Sequence, residues 1–317
     1  MKDMIQKYRS PLGIPLTTNA SWCNDGHETH PKVVYSGALY VTMSVVSKMS
    51  RILPLILRNP TKEARIKFIG RFAFFSRLFL WMPFLRDRKL ANVPKRGLKI
   101  LHSLGYDDIR CLDVEPYSGV LLYDLGFEEE LLEYGRYLRD FFHSRNVEEI
   151  ILLDPHTYEL FTTVYAKTIP DFSFKLHLIL DLLTDNLDTI GSACSGRRQS
   201  GNGGNLTYHD PCIYAKRLPE EIIIPPRRIL ESVDGVEIKE AFNHGRTAKC
   251  CGGPLEFLFA DLSKEISKMR YSELAETGAS ELIVSCPICY INFKKVRNKN
   301  TKVTDLIDFL YDNMGLT

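Results

Sequence analysis

The sequence predicts an α/β chain of two pseudo-symmetric Rossmann-like domains with parallel sheets, the first interrupted by a basic helical insertion. Three observations carry that reading. Short apolar runs alternate with stretches of helical periodicity, as strands do when helical crossovers join them in a parallel sheet. The two halves of the chain repeat one another. The cysteines of the second half come directly after predicted strands, where open α/β sheets collect their ligands.

The repeat is read from three anchor points. Ser285-Cys286-Pro287-Ile288-Cys289-Tyr290-Ile291-Asn292-Phe293 aligns with Leu153-Asp154-Pro155-His156-Thr157-Tyr158-Glu159-Leu160-Phe161, the Pro, Tyr and Phe coinciding at a constant offset of 132. Cys250-Cys251-Gly252 lies over Tyr117-Ser118-Gly119 at an offset of 133, and Asp210-Pro211-Cys212-Ile213-Tyr214 over Ser36-Gly37-Ala38-Leu39-Tyr40 at 174. The jump between the last two offsets places an insertion in the first half. Where the second half has five cysteines, the first has Ala38, Tyr117, Ser118, Asp154 and Thr157.

Taken in order, residues 1–32 are an N-terminal extension. No apolar stretch follows Met1-Lys2-Asp3-Met4, so a secretory signal is not expected and the cysteines are expected in a reducing, cytoplasmic compartment, where disulfides are rare. Cys23-x3-His27-x2-His30 has metal-like spacing, against a default of surface histidines. Cys111 reads as a scattered buried thiol. The first domain, 33–190, has strands at Val33-Val34-Tyr35, Ile109 to Val114 and Glu149 to Leu153, with helical periodicity over Glu128 to Arg145. Gly191 to Asn205 (GSACSGRRQSGNGGN) reads as a linker. The second domain, 206–317, has strands at Leu206 to His209, Val236 to Ala241 and Glu281 to Ser285, and a helix over Leu255 to Thr277.

The insertion spans about 48–96. Between Lys48 and Arg96 there are 13 Lys/Arg against Glu63 and Asp87, a local charge of +11 that leaves −9 for the remainder of a chain of net +2. Such a segment points to a partner surface. Its apolar run, Ile66 to Leu85, is broken by Lys67, Arg71 and Arg77, each costing ~2.5–3.5 kcal/mol near a bilayer centre, so a spanning helix is not expected. Docking onto an acidic redox partner, or peripheral contact with a membrane face, accounts for the charge. Nucleic acid is not expected, because no recognition motif accompanies it.

The strongest chemical signal is C-x37-C-C-G-x33-C-x-x-C, formed by Cys212, Cys250, Cys251, Cys286 and Cys289. Five soft thiolates exceed what tetrahedral zinc needs and suit a polynuclear iron–sulfur centre; zinc on four of the five is the alternative. Pro287 starts a helix whose N-terminal amides favour a thiolate on Cys286 or Cys289, and Gly252-Gly253 leaves room for a bulky cluster. With neither a ferredoxin-type C-x2-C-x2-C run nor a G-x-G-x-x-G fingerprint in the sequence, electrons are expected to enter or leave through a partner.

On this pattern and its lead-in, Tyr208-His209-Asp210-Pro211-Cys212, the chain resembles the CCG-domain (cysteine-rich domain) proteins, above all the disulfide-cleaving subunit of heterodisulfide reductase. The resemblance implies two CCG domains, the first having lost its cysteines. It implies Cys212, Cys250, Cys251, Cys286 and Cys289 as ligands of a noncubane [4Fe-4S] cluster that acts on disulfide or persulfide sulfur or passes electrons. It also implies a multi-subunit complex with a ferredoxin-like subunit and a flavoprotein subunit, of the kind found in sulfur metabolism. Other relatives are electron-relay subunits of glycolate, lactate and glycerol-phosphate dehydrogenases. A zinc-stabilised assembly subunit without redox role is the remaining class. Two departures matter: one cysteine motif instead of two, and Ile213 where the family often has His.

Beside the cysteines, His209, Tyr214 and Tyr290 are candidate functional side chains. The emptied first-half positions hold Ser118, Asp154, His156 and Thr157, either as a decayed, filled pocket or as a substrate wall with His156 as proton donor. Arg197 and Arg198 could clamp an anion but fall in the linker.

Overall fold

A computed structural model describes residues 2–56, 86–196, 205–256 and 258–317. The apolar run of the insertion and both arginines, Arg197 and Arg198, lie outside the described residues. The chain divides into two compact units that interleave along the sequence: Met1–Lys95, Arg110–Ile150 and Leu160–Lys175 in one, and Arg96–Ile109, Ile151–Glu159 and Leu176–Thr317 in the other.

Strands β1 (Lys32–Tyr35), β2 (Glu149–Leu152) and β3 (Lys175–Leu178) form one sheet in that order. Strands β4 (Asn205–His209), β5 (Glu237–Ile238), β6 (Glu281–Val284) and β7 (Lys302–Asp305) form a second, ordered β5-β4-β6-β7. All pairs of the second sheet are parallel, with His209 opposite Val284 and Val284 opposite Asp305. Leu206, Thr207, Tyr208 and His209 are all buried, as befits a central parallel strand covered on both faces. The α/β architecture with parallel strands is therefore as expected from the alternating pattern.

Three differences are instructive. The run 109–114 is no continuous strand: Arg110 exchanges backbone bonds with Lys32 and Val34, while Cys111 and Asp113 turn to His27. Its pairing is split between β1 and the N-terminal extension. The run 236–241 keeps only two strand residues. β7 was hidden by its polarity, since Lys302 and Thr304 face Glu281 of β6 through an ion pair of 2.8 Å and a hydrogen bond of 2.5 Å. The helices Glu128–His143 and Ala260–Ala275 match the periodic stretches, and helix Leu187–Cys194 runs into the segment read as a linker.

Within the first unit the core is aromatic. Phe172 packs edge-on against Phe161 and Phe174 at 5.4 and 5.1 Å, and Tyr35 packs edge-on against Phe142 at 5.2 Å, geometries in which ring edges meet the negative faces. The same unit corrects two expectations. Cys23 and Cys111 form a disulfide across a Cα separation of 6.0 Å. Cys111 is thus not a free thiol, and Cys23 cannot join His27 and His30 as a metal ligand, because its sulfur is already bonded.

Glu115 lies at the centre of this unit, 4% exposed, accepting bonds from Trp22 Nε1 (3.1 Å), Ser36 Oγ (2.5 Å) and the Ala38 amide (2.7 Å). Burial pushes its carboxyl up to about 7, although these three donors pull the other way. A native pKa above the unfolded one means that the folded chain binds the proton more tightly. The stabilisation is complete below the unfolded value and is lost as pH rises through about 7. Urea unfolding should therefore show stability falling by roughly 2–3 kcal/mol between about pH 4.5 and 7.5. Glu115→Gln should flatten most of that slope. A smaller part of the same sign should persist from Asp154, which burial raises to about 6.

Candidate metal centre

All five motif cysteines belong to the second unit, and the local sequence explains how three chain segments meet. β4 ends at His209, and Asp210-Pro211 turns the chain into the helix Cys212–Lys216. The Asp210 carboxylate accepts two bonds from Arg227 (2.7 and 2.9 Å) and one from the Gly245 amide (2.7 Å). Burial alone would raise its pKa; the Arg227 bonds and charge outweigh this and hold it below the usual carboxylate range. Arg227 also binds Glu240 and the Ile223 carbonyl. This clamp fixes the end of β4 against the loop that leads to Cys250.

The Cys250-Cys251 loop is held by its backbone. The Gly252 amide donates to Cys250 Sγ (3.3 Å), Ser263 Oγ donates to the Gly252 carbonyl (2.8 Å), and Asn292 Nδ2 donates to the Cys251 carbonyl (3.0 Å). Gly252 has φ +79°, and a Cβ there would lie 2.6 Å from the Ser263 carbonyl oxygen. At Gly253 a Cβ would clash with Ile288 Cγ2. The glycines therefore let the loop pack against the helices Ala260–Ala275 and Pro287–Val296, and a Cβ at Gly253 would also lie 3.3 Å from Cys251 Sγ. Gly252→Ala should cost more than about 2 kcal/mol by thermal unfolding, from left-handed strain plus the carbonyl clash. Gly105→Ala, at φ +92° with nothing within 4 Å, isolates the strain and should cost roughly half as much.

β6 ends one residue before Ser285-Cys286. Cys286 caps the helix Pro287–Val296, and Cys289 lies in its first turn. The free thiols are hydrogen-bonded in unbroken succession: Cys212 and Cys251 donate to Cys250, and Cys289 donates to Cys251 and Cys286. Cys251, Cys286 and Cys289 are at most 1% exposed, while Cys212 and Cys250 are half-buried. Thiol donation from Cys212 and Cys251 pulls Cys250 down to about 2. Cys286 is also lowered, burial being outweighed by the Cys289 thiol and His156. The other three are raised by the sulfurs they donate to and by burial.

Two histidines meet this row. His156 Nδ1 lies 3.7 Å from Cys286 Sγ. It is carried by the short helix Pro155–Glu159, whose start is held by Asp154 Oδ1 accepting from the His156 and Thr157 amides, both at 3.0 Å. A ring nitrogen of His209 and the sulfurs of Cys251 and Cys289 lie within 4.8 Å of one another. His209 is fully buried and stands edge-on to Phe293 at 4.7 Å. Burial, then the Arg270 charge, depress its pKa to about 3, so the ring is neutral.

The remaining candidates separate. Tyr214 is buried, with its hydroxyl lacking a partner among the described residues. The Tyr290 hydroxyl accepts from Lys294 (2.9 Å). Ser118 belongs to the first unit, where its carbonyl accepts from Tyr165, and Asp154, His156 and Thr157 belong to the second. The sequence pattern did not single out Arg227, Arg270 or Asn292. Only Asn292 carried a signal, as one polar residue inside the apolar run Tyr290-Ile291-Asn292-Phe293.

Residues 206–294 match the family model described as Cysteine-rich domain, CCG. The chain is 29% identical over 205 residues to the probable iron-sulfur-binding oxidoreductase FadF of Bacillus subtilis, a match covering 64% of this chain and 28% of that protein. It is 26% identical over 224 residues to a probable membrane-anchored ferredoxin of Chromohalobacter salexigens, covering 67% and 32%. It is 25% identical over 152 residues to a subunit of the fumarate reductase (CoM/CoB) of Methanothermobacter marburgensis, covering 45% and 29%. The chain thus spans less than a third of the length of these relatives. Among the described residues, no helix is long and apolar enough to cross a membrane.

Proposed function

We propose, from the match of residues 206–294 to the cysteine-rich (CCG) domain, that the chain is an iron–sulfur redox subunit. Cys212, Cys250, Cys251, Cys286 and Cys289 would hold one [4Fe-4S] cluster of the noncubane kind. The observation that carries this reading is the unbroken row of five thiols drawn from three chain segments, two of them directly after β4 and β6. A single zinc ion uses four ligands and leaves one sulfur without a task. The fit is supported by two buried donors at the same place, His209 Nε2 and Arg270 Nη2, which lack partners among the described residues, as expected where acceptors of an inorganic centre belong.

When bound, such a cluster supplies one-electron redox chemistry. The chain's own residues hold and orient it: the Asp210–Arg227 clamp sets Cys212, Asn292 and Ser263 set Cys251, and Cys289 follows from the first helical turn after Cys286. His156, at 3.7 Å from Cys286, is the proton-handling candidate for a disulfide or persulfide substrate. The partners are a ferredoxin-like protein and a flavoprotein, as in heterodisulfide-reductase-like complexes. A pure electron relay is the second reading, favoured by Cys212 and Cys250, which give the row a half-buried edge.

Iron, sulfide and zinc analysis with EPR on anaerobically prepared chain tests the proposal. About four irons and a paramagnetic signal support it; folded, iron-free protein with equimolar zinc overturns it. A signal altered by added disulfide or persulfide favours substrate chemistry, and an unaltered one favours the relay.

A further inference from the structure

Arg270 is the largest side chain buried beyond 98% in the described chain, at 1% exposed, and nothing in the sequence motif accounts for it. It projects from the helix Ala260–Ala275, which also supplies Ser263 to the Cys250-Cys251 loop. Its Nε donates to His209 Nδ1 (3.3 Å), and its Nη1 donates to Glu273 Oε2 (2.9 Å). Glu273 is further held by Asn243 and lies 3.8 Å from Lys249. A guanidinium only donates, so His209 Nδ1 must accept. A neutral imidazole that accepts at Nδ1 carries its proton on Nε2. That Nε2 is buried without a partner among the described residues, in the ring that approaches Cys251 and Cys289.

We propose that Arg270 is a positioning residue that fixes His209 as an Nε2–H donor to the Cys251 and Cys289 sulfurs, excluding it as a ligand and raising the reduction potential of the thiolate-held cluster. The inference rests on the cluster reading above. Ligation through Nε2 would require the proton on Nδ1, setting two donors, Arg270 Nε–H and Nδ1–H, against each other at 3.3 Å. That arrangement is repulsive, so the His209–Cys251–Cys289 triad is not a mononuclear metal site. N–H donation to cluster thiolates and a buried cation both favour the more negative, reduced state. Glu273 offsets part of the charge through Nη1, while the third nitrogen, Nη2, has no partner among the described residues.

Two measurements test it. Nitrogen–proton correlation spectra of the full chain labelled with 15N-histidine, prepared without iron at pH 7, should show His209 as the neutral Nε2–H tautomer. An Nδ1–H tautomer or a charged ring overturns the proposal, whatever the metal content proves to be. In the iron-loaded chain, an EPR-monitored redox titration should show Arg270→Gln and His209→Phe lowering the midpoint. The expected size is about a tenfold shift in the oxidised-to-reduced ratio at fixed potential, about 59 mV for one electron. His209→Gln, which can still donate, should stay closer to the unaltered chain than His209→Phe. Equal midpoints for all variants overturn it. Should the Phe variant fail to fold, the Gln variant and the tautomer spectrum decide.

Discussion

Cys251→Ala is expected to strip the chain of iron, from about four atoms to less than one, while leaving its circular dichroism unchanged. Cys251 is the middle link of the thiol row, bonded to Cys250 on one side and Cys289 on the other. Its removal divides the ligand set into two pairs, and no other sulfur among the described residues of the row can fill the gap. The fold should survive because the carbonyl of residue 251, and not its side chain, receives Asn292. Cys194→Ala is the control: Cys194 is also buried and forms no disulfide but stands on the helix Leu187–Cys194, outside the motif, and should leave the iron untouched. Equal iron in both variants would refute the ligand assignment.

Asp210→Ala should be the most destabilising single polar change in the second unit, by about 3–5 kcal/mol, because it leaves a largely buried guanidinium uncompensated. Arg227 has a side-chain exposure of 16% and Asp210 of 1%, so little water is available to replace the lost carboxylate. The Gly245 amide is orphaned at the same time. Glu240 retains part of the Arg227 charge, which sets the estimate toward the lower end. Arg227→Met in the same background should recover part of the loss, since the unpaired cation is then gone. Urea midpoints of the two single variants and the double variant check this. A loss below about 1 kcal/mol for Asp210→Ala would mean that the clamp is dispensable.

The fold class was legible because period is a strong signal. β6 carries a short apolar run, and the helices Glu128–His143 and Ala260–Ala275 match stretches of helical periodicity. β3 and β7 were not legible, because their sequences KLHL and KVTD mix charge into edge or near-edge positions, where pairing rather than composition decides. The cysteine set was legible because reactive residue types at fixed spacing survive without knowledge of the fold. Arg227 and Arg270 were not, since an arginine on an amphipathic helix looks the same in sequence whether it meets water or a buried partner. The Cys23–Cys111 pair was missed for a related reason: it joins segments 88 residues apart. The backbone exchange of His27 with Cys111 and Asp113, flanked by that of Arg110 with Lys32 and Val34, brings them together.

That disulfide has a consequence for the basic insertion, all of which lies between its two cysteines. Residues 23–111 form a closed covalent ring, so a protease cut at any of the insertion's lysines or arginines opens the ring without releasing a fragment. Nicked chain should migrate as one band in denaturing gels until reductant is added, and then fall into two.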